Sequence, residues 1–341
     1  MIRSLIKKVL GPRLCACLRK MMNSPYKQAK PFYEYQLKRL VKYSGAFETN
    51  TKGKALARII TTYHIIEKGL TMPNRRFTFG QQIILDLIAQ INRFELSYGS
   101  CEPQVDHAIG VLKAYWELHE EMIDMKNVQD DTFWKMLCSF LEKYPKIPVS
   151  RQPHFKRRSF YEKKEASFPE FAAARHTLRH YAQTPLSMER IEAAVQLALN
   201  TPTACNRQYC RVHCVSDKTI MEKLLELQSG NREFGHLADK LLIVTADLQG
   251  LQGVAERDDL FTNGGMFLMN LCYGLYYNEI AHCILNWSKS PETDIAMREL
   301  ISIPEEETVV ALLTCGETPE EFDVAASPRR SLSDICAWKQ S

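Results

Sequence analysis

Apolar residues recur at spacings of three and four through the first half of the chain, from Pro31 to about Pro145. Such spacing places them on one face of an α-helix, and no convincing strand pattern separates the runs. The apolar positions of the four runs are Leu56, Ile59, Ile60, Tyr63 and Ile66; Ile83, Ile84, Leu87, Ile88, Ile91 and Phe94; Ile109, Leu112, Tyr115, Trp116 and Met122; and Phe133, Trp134, Leu137, Phe140 and Leu141. The pattern predicts an α-helical domain over residues 1–150.

Helical and strand patterns alternate in the second half. Residues 209–215 alternate in polarity, as a strand with one buried face does, and Cys210, Val212 and Cys214 share a side. Residues 241–244 and 308–313 are short apolar runs typical of strands buried on both faces. Helical patterns cover residues 187–199, 217–227 and 262–280. The alternation predicts an α+β or α/β domain over residues 171–341.

Residues 151–170 join the two halves and are rich in proline and basic side chains. Pro153 precedes the cluster Lys156, Arg157 and Arg158, and Lys163 and Lys164 follow. Proline and charge density predict an exposed basic linker. A polyanion-binding patch is the alternative, but it is not supported by interleaved aromatic side chains aimed at bases.

Composition narrows the class of protein. The chain has 341 residues, of which 45% are hydrophobic and 25% charged, so disordered and collagen-like proteins are excluded. The 44 basic residues exceed the 40 acidic ones by only four, too small a bias to indicate nucleic acid as a partner. No apolar run approaches the length of about 18–20 residues that crosses a bilayer, which predicts a soluble protein.

The eleven cysteines are odd in number and scattered, unlike the even disulfide framework of a small secreted domain. Reduced thiols in the cytoplasm are therefore expected. Cys205, Cys210, His213 and Cys214 could be metal ligands, but small buried side chains explain them better, because His213 points away from the cysteines on an alternating strand.

The N-terminal segment, residues 1–20, is basic and amphipathic when drawn as a helix. This pattern is compatible with weak contact with the inner face of an anionic membrane. A helix docked on the protein or a frayed terminus fits the same sequence, and Gly11-Pro12 interrupts the helical pattern.

Three segments of the second half carry side chains suited to an anionic heteroaromatic ligand. Residues 175–179 (R-H-T-L-R) contain two arginines, which share a face if this stretch is helical and whose forked donors match phosphate oxygens. Residues 201–208 place hydroxyl and carboxamide groups in a helix-to-strand turn, and carboxamides can bind a ring edge. Residues 327–332 add two arginines. Each segment alone also fits a solvated surface or a self-satisfied turn.

A fourth stretch, in the helical half, contains His64, Glu67 and Lys68. His64 and Glu67 are three residues apart, share a helix face, and could bind a metal or relay a proton. Such pairs are usually surface or half-buried polar groups, and no second pair of this kind lies nearby.

In order and spacing, the segments of the second half resemble the nitroreductase family of FMN-dependent oxidoreductases. Residues 175–179 are similar to its Arg-x-Ser-x-Arg/Lys motif, and residues 202–210 (P-T-A-C-N-R-Q-Y-C) to its Pro-Ser-x-x-Asn-x-Gln-Pro-Trp turn. The remaining similar blocks are residues 230–239, 264–275, 303–316 and 328–332. The resemblance covers about residues 171–335. Similar chains with a helical half ahead are met in bacterial cell-surface polysaccharide biosynthesis.

The resemblance implies an α+β fold, a nitroreductase-like α/β sandwich whose central mixed sheet is flanked by helices, preceded here by the helical domain. It also implies a homodimer with FMN at the interface and NADH or NADPH as hydride donor. The implied cofactor-binding residues are Arg175, His176, Thr177, Arg179, Thr203, Asn206, Gln208, Asn231, Leu285, Arg329 and Arg330. Asn286 and Trp287, where the family presents a backbone N–H to the flavin N5, are the predicted catalytic residues, and no metal is implied.

Two departures from the family pattern bear on activity. Tyr209-Cys210 replaces the usual Pro-Trp, and Asn286-Trp287 replaces small or acidic residues with glycine. A bulky indole beside the flavin would narrow the space above it, which argues against reduction of added nitroaromatics more than against FMN binding.

The sequence thus predicts an FMN-dependent oxidoreductase that passes hydride from NAD(P)H through flavin to an unidentified small-molecule acceptor. The alternative is an FMN-binding protein with little turnover, in which Trp287 closes the site and which has a structural or regulatory role in a polysaccharide pathway. A membrane-surface adaptor led by the basic N-terminus is a third hypothesis.

Overall fold

The first half of the chain is helical in the computed structural model, which describes residues 24–120 and 131–339. Its helices are α1 (Pro25–Tyr43), α2 (Lys52–Leu70), α3 (Gln81–Tyr98), α4 (Pro103–Glu120) and α5 (Thr132–Leu141). The sequence-based prediction of a helical half is confirmed. The proposed membrane contact of residues 1–20 and the position of Met122 lie outside the described residues.

The predicted apolar stripes form the core of this half. On α2, Leu56, Ile59, Tyr63 and Ile66 are at most 5% exposed and pack in one cluster with the apolar faces of α3, α4 and α5. Thr51 caps α2 by accepting a hydrogen bond from the Lys54 N–H. The hydrophobic periodicity therefore determines both the helices and the face that each buries.

Helix α1 contributes nothing to that core, since none of its residues is buried. It is held to the second half through Gln36, whose side chain donates to Asp258 and accepts from Arg257, and the Arg257 guanidinium lies over the ring of Phe32. A groove of about 1030 Å³ runs along the helix.

The second half is built on a four-stranded sheet and a two-stranded one. The strands are β1 (His154–Lys156), β2 (Cys210–Val215), β3 (Lys240–Asp247), β4 (Ile280–Asn286), β5 (Glu307–Glu317) and β6 (Glu321–Asp323). The larger sheet has the order β2-β3-β5-β4, and β1 pairs with β6. All pairings are antiparallel, so the expected mixed sheet is wrong. A sequence in which helices and strands alternate is compatible with parallel or antiparallel pairing of the strands, because hydrophobic patterning indicates burial and not strand direction.

Helices cover both faces of the larger sheet. The helices of this half are α6 (Arg157–Phe160), α7 (Phe168–Ala174), α8 (Met188–Ala198), α9 (Lys218–Gln228), α10 (Asp259–Tyr277), α11 (Pro291–Leu300) and α12 (Leu332–Ile335). Ile243 of β3 packs with α9 and α11 on one face, and Leu242 packs with α8 and α10 on the other. The predicted α+β sandwich is confirmed, and the apolar runs at residues 241–244 and 308–313 are its two central strands.

Residues 151–170 are more than an exposed linker. Phe160 and Tyr161 are 3% and 4% exposed and belong to the core of the second half. The basic side chains here meet carboxylates: Arg157 lies 3.5 Å from Glu317, and Lys164 lies 2.8 Å from Glu279. Local proline and charge density did not reveal these partners, because they lie more than 100 residues away in the chain.

Gly274 allows α8 and α10 to approach closely. A Cβ at Gly274 would lie 2.5 Å from the Ala194 carbonyl oxygen, a backbone atom that cannot move aside cheaply. We expect Gly274→Ala to lower the free energy of unfolding by about 1–3 kcal/mol, the usual cost of overpacking. A Cβ at Gly265, in the same helix, meets nothing within 4 Å. Gly265→Ala should therefore be neutral or stabilising by up to about 1 kcal/mol. Equal melting temperatures for the two variants would contradict this packing argument.

Candidate functional site

The arginine-containing segment at residues 175–179 lies along the edge of the larger sheet. Helix α7 ends before it, and Arg175 has extended backbone angles. The Leu178 N–H donates to the His282 carbonyl of β4 at 3.0 Å. The two arginines therefore do not share a helix face. Four residues of extended chain span about 13 Å, so Arg175 and Arg179 can contact opposite ends of one elongated ligand.

At the first end, Arg175 has a buried Nε atom with no hydrogen-bond partner among the described residues. His282 Nε2 is likewise buried without a hydrogen-bond partner among the described residues. Burial lowers the pKa of His282 to about 4, and the charge of Arg175 contributes to this decrease. Buried polar atoms are nearly always satisfied by protein, water or ligand. The unpartnered donor of Arg175 is thus a candidate contact for a ligand acceptor, since the described residues supply none.

His176 links this end to the C-terminal arginines. Its ring lies against the rings of Phe155 and Phe160. Burial lowers the pKa of His176, and the charges of Arg175 and Arg329 lower it further, so Arg329 lies within electrostatic reach of the segment. The Arg329 guanidinium donates to the Ser327 carbonyl at 3.2 Å. Both arginines are exposed, and the charge of Arg330 acts on Tyr63 and Asp334, whereas the charge of Arg329 acts on His176.

At the other end, Arg179 lines a cleft of about 360 Å³, within the range of about 300–1,000 Å³ typical of ligand pockets. Its guanidinium lies 6.0 Å from the centroid of the Phe234 ring and beside the Cys283 thiol. The lining residues are His64, Lys68, Arg179, Gln228, Ser229, Gly230, Phe234, Cys283, Ile284, Leu285, Asn286 and Lys289. Both halves of the chain therefore build this cleft.

The cleft is cationic. It contains Lys68, Arg179 and Lys289, and none of its lining residues among those the structure describes is an aspartate or glutamate. Lys289 donates to the Ser229 hydroxyl at 3.0 Å and to the Gln228 carbonyl. Neither Lys68 nor Arg179 forms an ion pair with a carboxylate in the described parts of the chain. Burial lowers the pKa of Lys68, and the neighbouring Arg179 charge lowers it further. Like charges held together without counter-ions favour the binding of an anion.

The end of β4 forms one wall. Leu285 is 4% exposed, and the Asn286 carbonyl accepts a hydrogen bond from the Gln228 side chain at 3.2 Å. Trp287 does not line the cleft. Its indole N–H donates to Asp294 of α11 at 2.8 Å, and the ring packs against the core. The structure therefore holds the indole on α11, where it does not narrow the cleft.

Asn231 is adjacent to the cleft but engaged elsewhere. Its amide donates to the Leu225 carbonyl at 2.6 Å and to the Gln228 side chain at 3.0 Å, so it provides hydrogen-bond donors to two residues in the last turn of α9. Its neighbour Gly230 lines the cleft. Asn231 thus supports the wall through Gln228.

The turn that contains Thr203, Asn206 and Gln208 is not brought to this cleft within one chain. It precedes β2, which is the opposite edge of the sheet from β4, three strand spacings or about 14 Å away. Asn206 and Gln208 adopt positive φ angles of 55° and 52°, and Thr203 Oγ1 accepts from the Gln208 N–H. The turn holds itself in an exposed, strained conformation of a kind often found at binding sites.

The helical half reaches the cleft through a buried cluster centred on Glu67. This carboxylate is 0% exposed and accepts hydrogen bonds from His107 Nε2 at 2.8 Å, His64 Nδ1 at 3.0 Å and the Ser327 N–H at 3.1 Å. Burial alone would raise the pKa of Glu67, but these donors outweigh it and lower the pKa to about 2. The cluster fixes the last turn of α2 against the segment that carries Arg329.

Glu67 and Lys68 belong to the stretch that the sequence analysis named with His64, but no motif connected that stretch with the arginine-containing segments, and Gln228 and Lys289 of the cleft were not identified. The i, i+3 spacing of His64 and Glu67 marked this helix face, but it indicated a metal or proton relay. The partners His107 and Ser327 are 40 and 260 residues from Glu67. No local pattern reports such distant contacts.

No helix in the described residues is long and apolar enough to cross a membrane.

Comparison with known proteins identifies one family. The model of the nitroreductase family matches residues 172–233. Among similar solved structures, NADPH:FMN oxidoreductase from Vibrio harveyi has 16% identity over 51% of this chain and 77% of that chain, with a TM-score of 0.45. NfrA2 from B. megaterium has 19% identity over 51% of this chain and 74% of that chain, with a TM-score of 0.44. An FMN-dependent nitroreductase from Clostridium difficile has 17% identity over 48% of this chain and 92% of that chain, with a TM-score of 0.40. No curated protein matches. The matched residues contain both the Arg175–Arg179 segment and the turn at 203–208, and they identify this part of the chain as nitroreductase-family sequence.

Proposed function

We propose that the protein is an FMN-dependent oxidoreductase that passes hydride from NADH or NADPH to a small-molecule acceptor. The observation that carries the proposal is the pair of arginines at the two ends of residues 175–179, neither of which pairs with a carboxylate of residues 24–120 or 131–339. Arg175 has a buried unpartnered Nε, and Arg179 lies in a cationic cleft. These residues lie within the nitroreductase-family match.

The residues present fit FMN, which has an anionic phosphate at one end and a planar polar ring at the other. Arg175, His176 and Arg329 would hold the phosphate, and Thr177 would face the ribityl chain. Arg179 would lie at the pyrimidine edge, because the cleft supplies cationic donors and an aromatic neighbour there. Guanidinium donors match phosphate and carbonyl oxygens in a planar fork.

Bound FMN supplies the hydride chemistry, while the protein supplies position and electrostatics. Arg179 would hold positive charge where reduction adds negative charge, and the wall at Leu285 and Asn286 would present backbone to the ring. Gln228 fixes that wall through its bond to the Asn286 carbonyl. Trp287, bonded to Asp294, supports the wall from behind and leaves the cleft open to a second ligand.

The proposal includes a homodimer. Within one chain, Thr203, Asn206 and Gln208 lie at the opposite sheet edge from Arg179, so the turn would complete a site only on a partner subunit. Exposed large apolar side chains on α10, Phe261 at 55% and Met266 at 40%, supply an apolar surface for that contact. The nine cysteines of the described residues are unpaired, which suits a reducing compartment such as the cytoplasm.

The test is anaerobic titration of the purified protein with NADH and with NADPH, followed by flavin absorbance. We expect yellow protein that is bleached by at least one nucleotide and recovers its colour when an acceptor is added. Yellow protein that neither nucleotide bleaches would instead support an FMN-binding protein with little turnover. Colourless protein that takes up no added FMN would overturn flavin binding itself.

A further inference from the structure

The helical half places a cation inside the cleft of the second half. Lys68 lies in the last turn of α2 and lines the cleft together with Arg179, 111 positions later in the chain. Its side chain is half-buried, and its ammonium group forms no ion pair within the described ranges. A half-buried ammonium without a counter-ion beside a second cation is unfavourable unless an anion joins them.

The position of Lys68 is fixed from two sides. Its neighbour Glu67 is held by His64, His107 and Ser327. On the other side, Gly69 packs so closely on Phe79 that a Cβ there would lie 2.1 Å from the ring. The last turn of α2 therefore cannot rotate away, and Lys68 is held at the cleft by packing and by hydrogen bonds.

From this arrangement we infer that Lys68 is a second cationic contact of the flavin site and acts with Arg179 to stabilise the negative charge of reduced FMN. The inference rests on the proposed function and goes beyond it, because it makes the helical half part of the redox site. A positive charge near the ring favours the reduced form over the neutral oxidised ring. Lys68 therefore affects the reduction potential more than it affects the affinity for oxidised FMN.

The experiment compares Lys68→Met with wild type, Lys68→Arg and Lys54→Met. Methionine preserves the length of the side chain and removes its charge. Lys54 lies at the other end of α2, about 21 Å away along the helix, and donates to Asn50. Each protein is titrated with FMN by fluorescence quenching, and the potential of the bound flavin is measured against a reference dye.

We expect Lys68→Met to weaken binding of reduced FMN about tenfold relative to oxidised FMN, which lowers the two-electron potential by about 30 mV. Lys68→Arg should restore the potential, and Lys54→Met should match wild type. If wild type binds FMN and Lys68→Met leaves the potential unchanged, or weakens both redox forms equally, the inference is wrong while the proposed function stands. If wild type binds no FMN, both are wrong.

Discussion

Arg175→Ala/Arg179→Ala protein is expected to be purified without flavin and to bind added FMN at least about 100-fold more weakly than wild type. The physical reason is the loss of two charged donors at opposite ends of the site. A hydrogen bond to a charged group contributes about 1.5–3 kcal/mol, so two such bonds account for a factor of about 100 or more. The measurements are flavin content after purification and an FMN titration by fluorescence quenching.

The matched control is Arg58→Ala/Arg93→Ala. Both arginines are exposed on the helical half, and neither lines the cleft. This control removes the same net charge and should retain FMN as wild type does. Full retention of FMN by Arg175→Ala/Arg179→Ala, with an unchanged melting temperature, would show that the phosphate and ring contacts lie elsewhere.

Glu67→Gln is expected to destabilise the protein by about 3 kcal/mol at neutral pH. The amide keeps the shape of the carboxylate but removes the charge that accepts from His64, His107 and Ser327. The pKa of Glu67 falls from 4.5 to about 2 in the folded protein, and each pKa unit corresponds to about 1.4 kcal/mol. Chemical denaturation measures the change in the free energy of unfolding.

The pH dependence of this effect has a defined sign. The folded pKa of Glu67 lies below the unfolded value, so its stabilising contribution is complete above about pH 4.5 and is lost as the pH falls toward 2. The difference in stability between wild type and Glu67→Gln should shrink over that window. Glu117→Gln removes a more exposed ion pair with Arg151 and should cost less than about 1 kcal/mol. Equal stability of Glu67→Gln and Glu117→Gln would contradict the role of the buried cluster.

Local patterning predicted the elements whose burial is one-sided or complete. The stripe from Leu56 to Ile66 and the apolar runs of β3 and β5 are found where periodicity places them, because burial and spacing are properties of a short segment. Strand β4 was not predicted, since Ile280 continues the apolar pattern of α10 and the turn at Asn278 and Glu279 carries no glycine or proline. Glu279 makes that turn with a φ of 55°.

The site was predictable only in part, because only side chains that are close in sequence form a recognisable pattern. The segment at 175–179 is recognisable because its side chains are close in sequence, and neither of its arginines has a carboxylate partner in the part of the chain that the structure describes. Its expected helical geometry was wrong, because Leu178 pairs with the backbone of β4 instead. Lys68 was noted only beside His64 and Glu67, and its place in the cleft with Arg179 was not predicted, since that place depends on the docking of two halves of the chain.

The Glu67 cluster also sets an order of events during synthesis. Its last donor, the Ser327 N–H, is made 260 residues after Glu67. At about 5–20 residues per second, translation of that stretch takes about 13–52 s. For this interval the nascent helical half holds the Glu67 carboxylate with His64 and His107 alone, and this cluster can join the two halves only after residue 327 has been made.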